Sequence, residues 1–311
     1  MAYLLQLISR HARLCLIVGL AAGLMLPALA QAMTPWLPLM IAALLTITAL
    51  RIGHTAARGA ASDLRWGLGA VGVLQLGVPL FCLGVLTFFG YAQTPAGLAL
   101  VLATSAPAIS GSTNLALLLG LDAGRMMQIM VLGTATFPIT VLPILMLSPQ
   151  IGTFVDVLQS ASLVLLVILC ATALGFALRA TFYPSPSKTQ IQTLDGASVL
   201  AFSVIVIALM APLNHAIQTE PLQVALWALL AFSISYGLQA ATLLALRGSA
   251  LRAVSGPLAI GAGNRNIALF LVALPPETLA PVLIFIGCWQ LPMYLTPILL
   301  PKLYRKVLQD G

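Results

Sequence analysis

Two stretches of the chain gather amide and hydroxyl side chains inside otherwise apolar sequence. The first runs from Pro107 through Ser110, Gly111, Ser112 and Thr113 to Asn114. The second runs from Pro257 through Gly261, Gly263, Asn264 and Arg265 to Asn266. Neutral oxygens of this kind ligate hard cations, and a guanidinium offers a planar fork to an anion. The chemistry they suggest is reversible binding of small ions. Arg265 is the sharpest residue, because an arginine at mid-span costs about 2.5–3.5 kcal/mol even on the lenient insertion scale. No carboxylate falls within an apolar run to neutralise it. Asp63, Asp122, Asp156, Asp195, Glu220, Glu277 and Asp310 all sit in loops or at run ends. Two readings stay open for Arg265: a ligand for an anion, or a plug held by backbone carbonyls freed from helical bonding.

Covalent chemistry finds no footing. HExxH, GxGD and GxSxG are absent, and His11, His54 and His215 lie near run ends or in loops. No pair of ionisable groups is placed at depth for acid–base work or a proton relay, so no enzyme activity is expected. Cys15, Cys82, Cys170 and Cys288 lie in apolar runs without CxxC spacing and read as small apolar side chains, so no transition-metal site is expected.

The elements that must position these residues are set by composition. Hydrophobic residues make up 60% of the 311-residue chain and charged residues 7%. Too few charges remain to build a water-facing surface, so lipid must be the main solvent. The net charge of +7 does not point to nucleic acid, because the basic residues sit singly in loops without interleaved aromatics. Ten runs are long and apolar enough to span a bilayer: 12–30, 36–51, 66–88, 96–119, 126–147, 154–179, 196–214, 222–246, 255–274 and 279–301. With these boundaries every Lys and Arg except Arg265 falls at the N-terminus, in an even-numbered loop or at the C-terminus; the odd loops have none. Positive loops stay cytoplasmic, which places both termini in the cytoplasm; a plasma (bacterial inner) membrane is the expected location. Arg10 and Arg13 precede the run Leu14–Leu26, and Ala28-Leu29-Ala30 resembles a signal-peptidase site. With the next apolar run starting almost at once, the segment is expected to stay as the first span.

The chain also repeats itself. Gly111, Asn114, Ala116 and Leu117 match Gly263, Asn266, Ala268 and Leu269, which sets Thr113 opposite Arg265. Pro138, Pro143, Ile144 and Leu145 match Pro292, Pro297, Ile298 and Leu299, each pair 154 positions apart. The fourth and fifth spans thus repeat as the ninth and tenth. An odd number of spans per repeat forces the second copy to run inverted. The expected fold is an all-α polytopic membrane protein of ten spans in a five-plus-five inverted repeat. Residues 1–180 hold the first repeat and the sixth span, 181–195 a cytoplasmic linker, and 196–311 the seventh to tenth spans. Pro and Gly at depth free backbone groups that need partners inside the protein or beside a cavity. Paired interrupted spans in matching places mark the central site of a secondary transporter.

On Pro107 to Asn114, Gly263-Asn264-Arg265-Asn266 and the five-plus-five arrangement, the chain resembles the bile-acid:sodium symporter family. The resemblance implies a core domain of spans 3–5 and 8–10 and a panel domain of spans 1, 2, 6 and 7. The fourth and ninth spans would unwind and cross at mid-membrane, with a substrate cavity between the domains. It implies alternating-access transport of a small organic anion driven by two sodium ions, with no other cofactor. Substrate contacts would come from Asn114, Asn264, Arg265 and Asn266, and sodium-like sites would draw on Ser112, Thr113, Asn114, Gln128, Gln75 and Asn264.

The match is incomplete. Hydroxyl ligands of the fifth span fall on Met127 and Val131, with Gln128 and Thr134 nearby as substitutes. At the second sodium site Gly261 stands where the family has an acid, and Arg265 where it has a glutamine. A fixed positive charge about 4 Å from a sodium ion costs about 4 kcal/mol at an effective dielectric near 20. Sodium coupling is therefore expected to be reduced or lost. A non-transport sensor or subunit and a passive channel are the alternatives. Channels repeat polar residues over several helices, whereas polarity here is concentrated in two. Substrate identity and oligomeric state are not legible in the sequence.

Overall fold

The computed structural model describes residues 2–60 and 63–309; Asp310 falls outside them, as do the side chains of Arg13 and Arg58. Among the described residues every element is a helix, and the single extended pairing is an isolated bridge between Ala108 and Arg265. In chain order, α1 (Ala2–Arg10) and α2 (Ala12–Met25) are followed by α3 (Pro27–Met33), a 3-10 turn and α4 (Leu37–Ala60). Next come α5 (Leu64–Gly72), a π-helical turn at Val73–Gly77, and α6 (Val78–Phe88). After α7 (Pro95–Ser105) and α8 (Ser112–Leu118) lie α9 (Ala123–Leu147), α10 (Phe154–Phe182), α11 (Lys188–Leu209), α12 (Ala211–Thr219) and α13 (Pro221–Leu246). The chain ends in α14 (Ser255–Gly263), α15 (Phe270–Ala273), α16 (Pro276–Leu279), α17 (Leu283–Leu299) and α18 (Pro301–Gln309).

Starts and stops follow local chemistry. Asp63, Thr94 and Asp122 cap α5, α7 and α9 by accepting from the amides of Trp66, Gly97 and Arg125. Ser187 and Gln190 form a reciprocal capping box at the start of α11. That box starts the helix at Lys188, inside the stretch 181–195 expected as linker, so the connection is shorter than the sequence implied.

Among the described residues seven helices are long and apolar enough to cross a membrane: Pro27–His54, Leu64–Phe88, Ala123–Leu147, Phe154–Phe182, Lys188–Thr219, Pro221–Leu246 and Pro276–Leu299. They make this a membrane-embedded protein. Leu158, Leu166, Leu169 and Leu174 of α10 are exposed, as lipid-solvated side chains are. Three expected spans are missing from the seven. Two of them, 96–119 and 255–274, are interrupted. The third, 12–30, is cut at Leu26 (φ −120°, ψ 69°), because Pro27 has no N–H to continue α2 and restrains the residue before it. Pro35, in the expected turn between the first two spans, instead sits in the 3-10 turn that carries α3 into α4.

The chain divides into two compact units, Met1–Arg58 with Leu166–Ala225, and Gly59–Leu165 with Leu226–Gly311. In the first, Gly19 and Gly23 form a small-xxx-small face that brings α2 against α11, where a Cβ would meet the backbone of Ser203 and Ile207. The Gly23 carbonyl, whose helical partner would be Pro27, accepts from Asn214 Nδ2 at 2.9 Å. Gly53 (φ 73°) kinks α4, and Arg179 donates to the Leu50 and Arg51 carbonyls beside the kink, each at 3.1 Å. The second unit holds the two interrupted spans.

Candidate functional site

The site begins where α7 and α14 stop. Ala106 precedes a proline and adopts φ −58°, ψ 149°, which ends α7. The chain stays unwound over 106–111 before α8 starts, whereas the second break spans only 264–266. The two breaks pair with each other. The Ile109 amide donates to the Asn264 carbonyl at 3.0 Å and the Asn266 amide donates to the Pro107 carbonyl at 2.7 Å. Backbone groups released at one break are thus satisfied by the other, as buried polar groups require.

Arg265 occupies the centre of this pairing and is 1% exposed. Its guanidinium donates to three backbone carbonyls: Ala262 at 2.9 Å, Ala106 at 3.0 Å and Leu74 at 2.9 Å. Each carbonyl is vacant for a stated reason. The helical partner of Ala262 would be the Asn266 amide, which has gone to Pro107. Ala106 lies at the first break. In the π turn the Val78 amide bonds to Val73, and the π partner of Leu74 is Pro79, which has no N–H. The Arg265 carbonyl accepts from Trp289 Nε1 at 3.0 Å. One residue therefore ties together the π turn of the third span and both broken spans.

Gln75, next to Leu74, is buried and accepts from Thr140 Oγ1 at 2.9 Å, which keeps its amide within the unit beside the π turn. Asn264 is fully buried; its Nδ2 donates to the Ile260 carbonyl at 3.3 Å and its Oδ1 accepts from Thr296 at 3.2 Å. Ser112 and Thr113 are buried at the start of α8. Among the described residues the Ser112 hydroxyl has no hydrogen-bond partner, and Thr113 reaches only the Met130 sulfur at 3.9 Å. Asn114 sits half-buried on the same helix, and Asn266 is buried in the second break.

Gln128 departs from the expected arrangement. Its Nε2 donates to the Asp63 carbonyl at 2.8 Å and its Oε1 accepts from Arg125 at 3.1 Å. It belongs to a polar cluster at the start of α5 and α9, where Arg125 also pairs with Asp63 and stacks over Trp66. The Arg125 hydrogen bond, with the Trp66 amide, holds the Asp63 carboxyl below the usual carboxylate range. An amide oxygen already facing a guanidinium is a poor sodium ligand, so Gln128 is set aside from the ion-binding set. Of the two residues that the sequence sets opposite each other, Thr113 lies within α8 and Arg265 lies within the second break.

No family model matches this chain, and no curated protein does. The site therefore rests on its own geometry.

Sequence reasoning passed over a second layer of polar residues. Ser235 Oγ donates to the Gly263 carbonyl at 2.8 Å, replacing the bond that the break removed. Gln239 Nε2 donates to Ser235 and Thr296, and Tyr304 donates to Gln239 Oε1 at 2.8 Å. A faint signal was available: Ser235 and Gln239 are one helical turn apart on an apolar helix, and thus share a face.

Proposed function

We propose that this chain is a secondary transporter of a small organic anion, working by alternating access in the manner of bile-acid:sodium symporters, with sodium coupling reduced or lost. The observation that carries the reading is the hydrogen-bonded meeting of two unwound spans around Arg265. Broken backbone at depth is costly unless a protein uses it, and paired interruptions in repeated halves are the mark of a carrier's central site. The repeated Gly, Asn and Pro positions support a five-plus-five inverted arrangement of ten spans, and the loop charges support cytoplasmic termini in a bacterial inner membrane. Asn114 and Asn266 are the side chains proposed to meet substrate. Arg265 is proposed as a tethered cation that holds the crossing, because its donors face carbonyls. Its charge is proposed to stand in for a sodium ion.

The test is uptake of small carboxylates and sulfonates into proteoliposomes with sodium and with choline in its place. Uptake that persists in choline, or rises no more than linearly with sodium, is the expected result. A second-order sodium dependence would overturn the reading of Arg265 as the resident cation.

A further inference from the structure

The C-terminal helix α18 follows Pro301 and exposes Lys302, Arg305 and Lys306, yet buries Tyr304 and Val307 against the second unit. Tyr304 is 1% exposed, and its hydroxyl is the first donor of a chain that ends at the second break. Tyr304 donates to Gln239 Oε1, which turns the Gln239 Nε2 hydrogens towards Ser235 Oγ at 3.4 Å and Thr296 Oγ1 at 3.5 Å. Ser235 in turn donates to the Gly263 carbonyl at 2.8 Å, and Thr296 donates to Asn264 Oδ1 at 3.2 Å.

The direction of this chain is fixed by its ends. The Gly263 carbonyl can only accept, so Ser235 must donate to it, while the single Thr296 proton is shared between Asn264 Oδ1 at 3.2 Å and the Pro292 carbonyl at 2.9 Å. Gln239 must then present its amine to both hydroxyls, and its remaining oxygen needs a donor. Tyr304 is that donor. Without it Gln239 keeps a buried unpaired oxygen and loses the contact that selects its rotamer. Gly263 makes the arrangement tight: a Cβ there would meet Gln239 Cγ at 2.5 Å and overlap the Ser235 carbonyl oxygen.

We infer that Tyr304 is a positioning residue, and that α18 is a latch whose docking holds the 264–266 break in its paired conformation. The relay itself is independent of cargo. That the break is a transport site rests on the function proposed above.

Hydrogen–deuterium exchange on the full chain in detergent reads the latch with no substrate present. Tyr304→Phe keeps the ring and removes only the donor. It should speed exchange of the Asn264, Asn266 and Ile109 amides by about tenfold, the scale of one buried hydrogen bond. Amides of α2 and α10 should stay at wild-type rates, and Lys302→Ala, on the exposed side of α18, should change nothing at the break. Unchanged exchange at the break in Tyr304→Phe overturns the inference. So does a rise shared equally by α2 and α10, which marks general loosening. Should Tyr304→Phe not fold, Thr296→Val cuts the relay one bond later. It should release Asn264 while α18 amides stay protected, and protection of Asn264 in that variant would equally overturn the latch. Loss of uptake in the sodium experiment, with the exchange pattern intact, would remove the transport reading and leave the latch standing.

Discussion

Arg265 satisfies its charge with dipoles alone. Three backbone carbonyls converge on it, and among the described residues its side-chain hydrogen bonds go only to them. A guanidinium suits this because its donors lie in a rigid plane and reach three segments at once, which a lysine ammonium on a flexible stem does not. Arg265→Lys should therefore lower stability by about 1–3 kcal/mol, the cost of leaving a buried acceptor unpaired, although the charge is kept. A melting temperature in detergent checks this, and a wild-type value for the lysine variant would show that charge alone suffices. The sequence announced Arg265 as unusual but left its role open between anion ligand and plug. Its partners were hidden because they are main-chain atoms, which carry no residue-type signal. Leu74 became a partner only through a π turn imposed by the proline at 79.

At the scale of the element, interruptions were legible and their details were not. Pro107 with Gly111 and Pro257 with Gly263 pointed to broken spans at the right places, since these residues disfavour continuous helix at depth. The unequal lengths of the breaks were invisible to residue matching, which aligned glycines and asparagines and so set Thr113 opposite Arg265. Gly263 shows what a helix gives up to hold its break. Its missing side chain lets α13 approach closely enough for Ser235 to replace a lost helical hydrogen bond. Gly263→Ala should cost about 1–3 kcal/mol through overpacking. Gly69→Ala, where a Cβ meets nothing within 4 Å, should be neutral or slightly stabilising. Thermal unfolding of the two variants side by side tests the contrast. Equal effects on the two would mean that helix propensity, and not close approach, sets the outcome.

For the whole molecule the decisive pattern is the alternation of charge along the chain. Among the described residues seven apolar helices place the protein in a membrane, whereas the proposed ten crossings rest on the loop charges. The difference lies in the segments that length and hydropathy cannot score: the two broken spans and the chain around Leu26. Single cysteines placed in a cysteine-free background resolve it. Substitutions at Gln93 and Gln218 should react with an impermeant thiol reagent from outside intact cells, and those at Ser187 and Ser249 should react only after permeabilisation. Labelling of Ser249 from outside would break the proposed alternation at the point where the eighth span must cross. The long apolar helices are thus readable because apolar length leaves a clear mark in the sequence. The pairing of the breaks is not, because it depends on tertiary contacts.

The three carbonyls around Arg265 also impose an order on biogenesis. Two of its bonds reach back 159 and 191 positions along the chain. At about 5–20 residues per second of synthesis, the Leu74 carbonyl is made roughly 10–40 seconds before the arginine that claims it. The segment around Arg265 emerges with a bare cation that apolar surroundings disfavour, and two of its three partners, Leu74 and Ala106, are already made because they precede it in the chain. Placing the charge in the second half lets the nascent first half serve as its receptor.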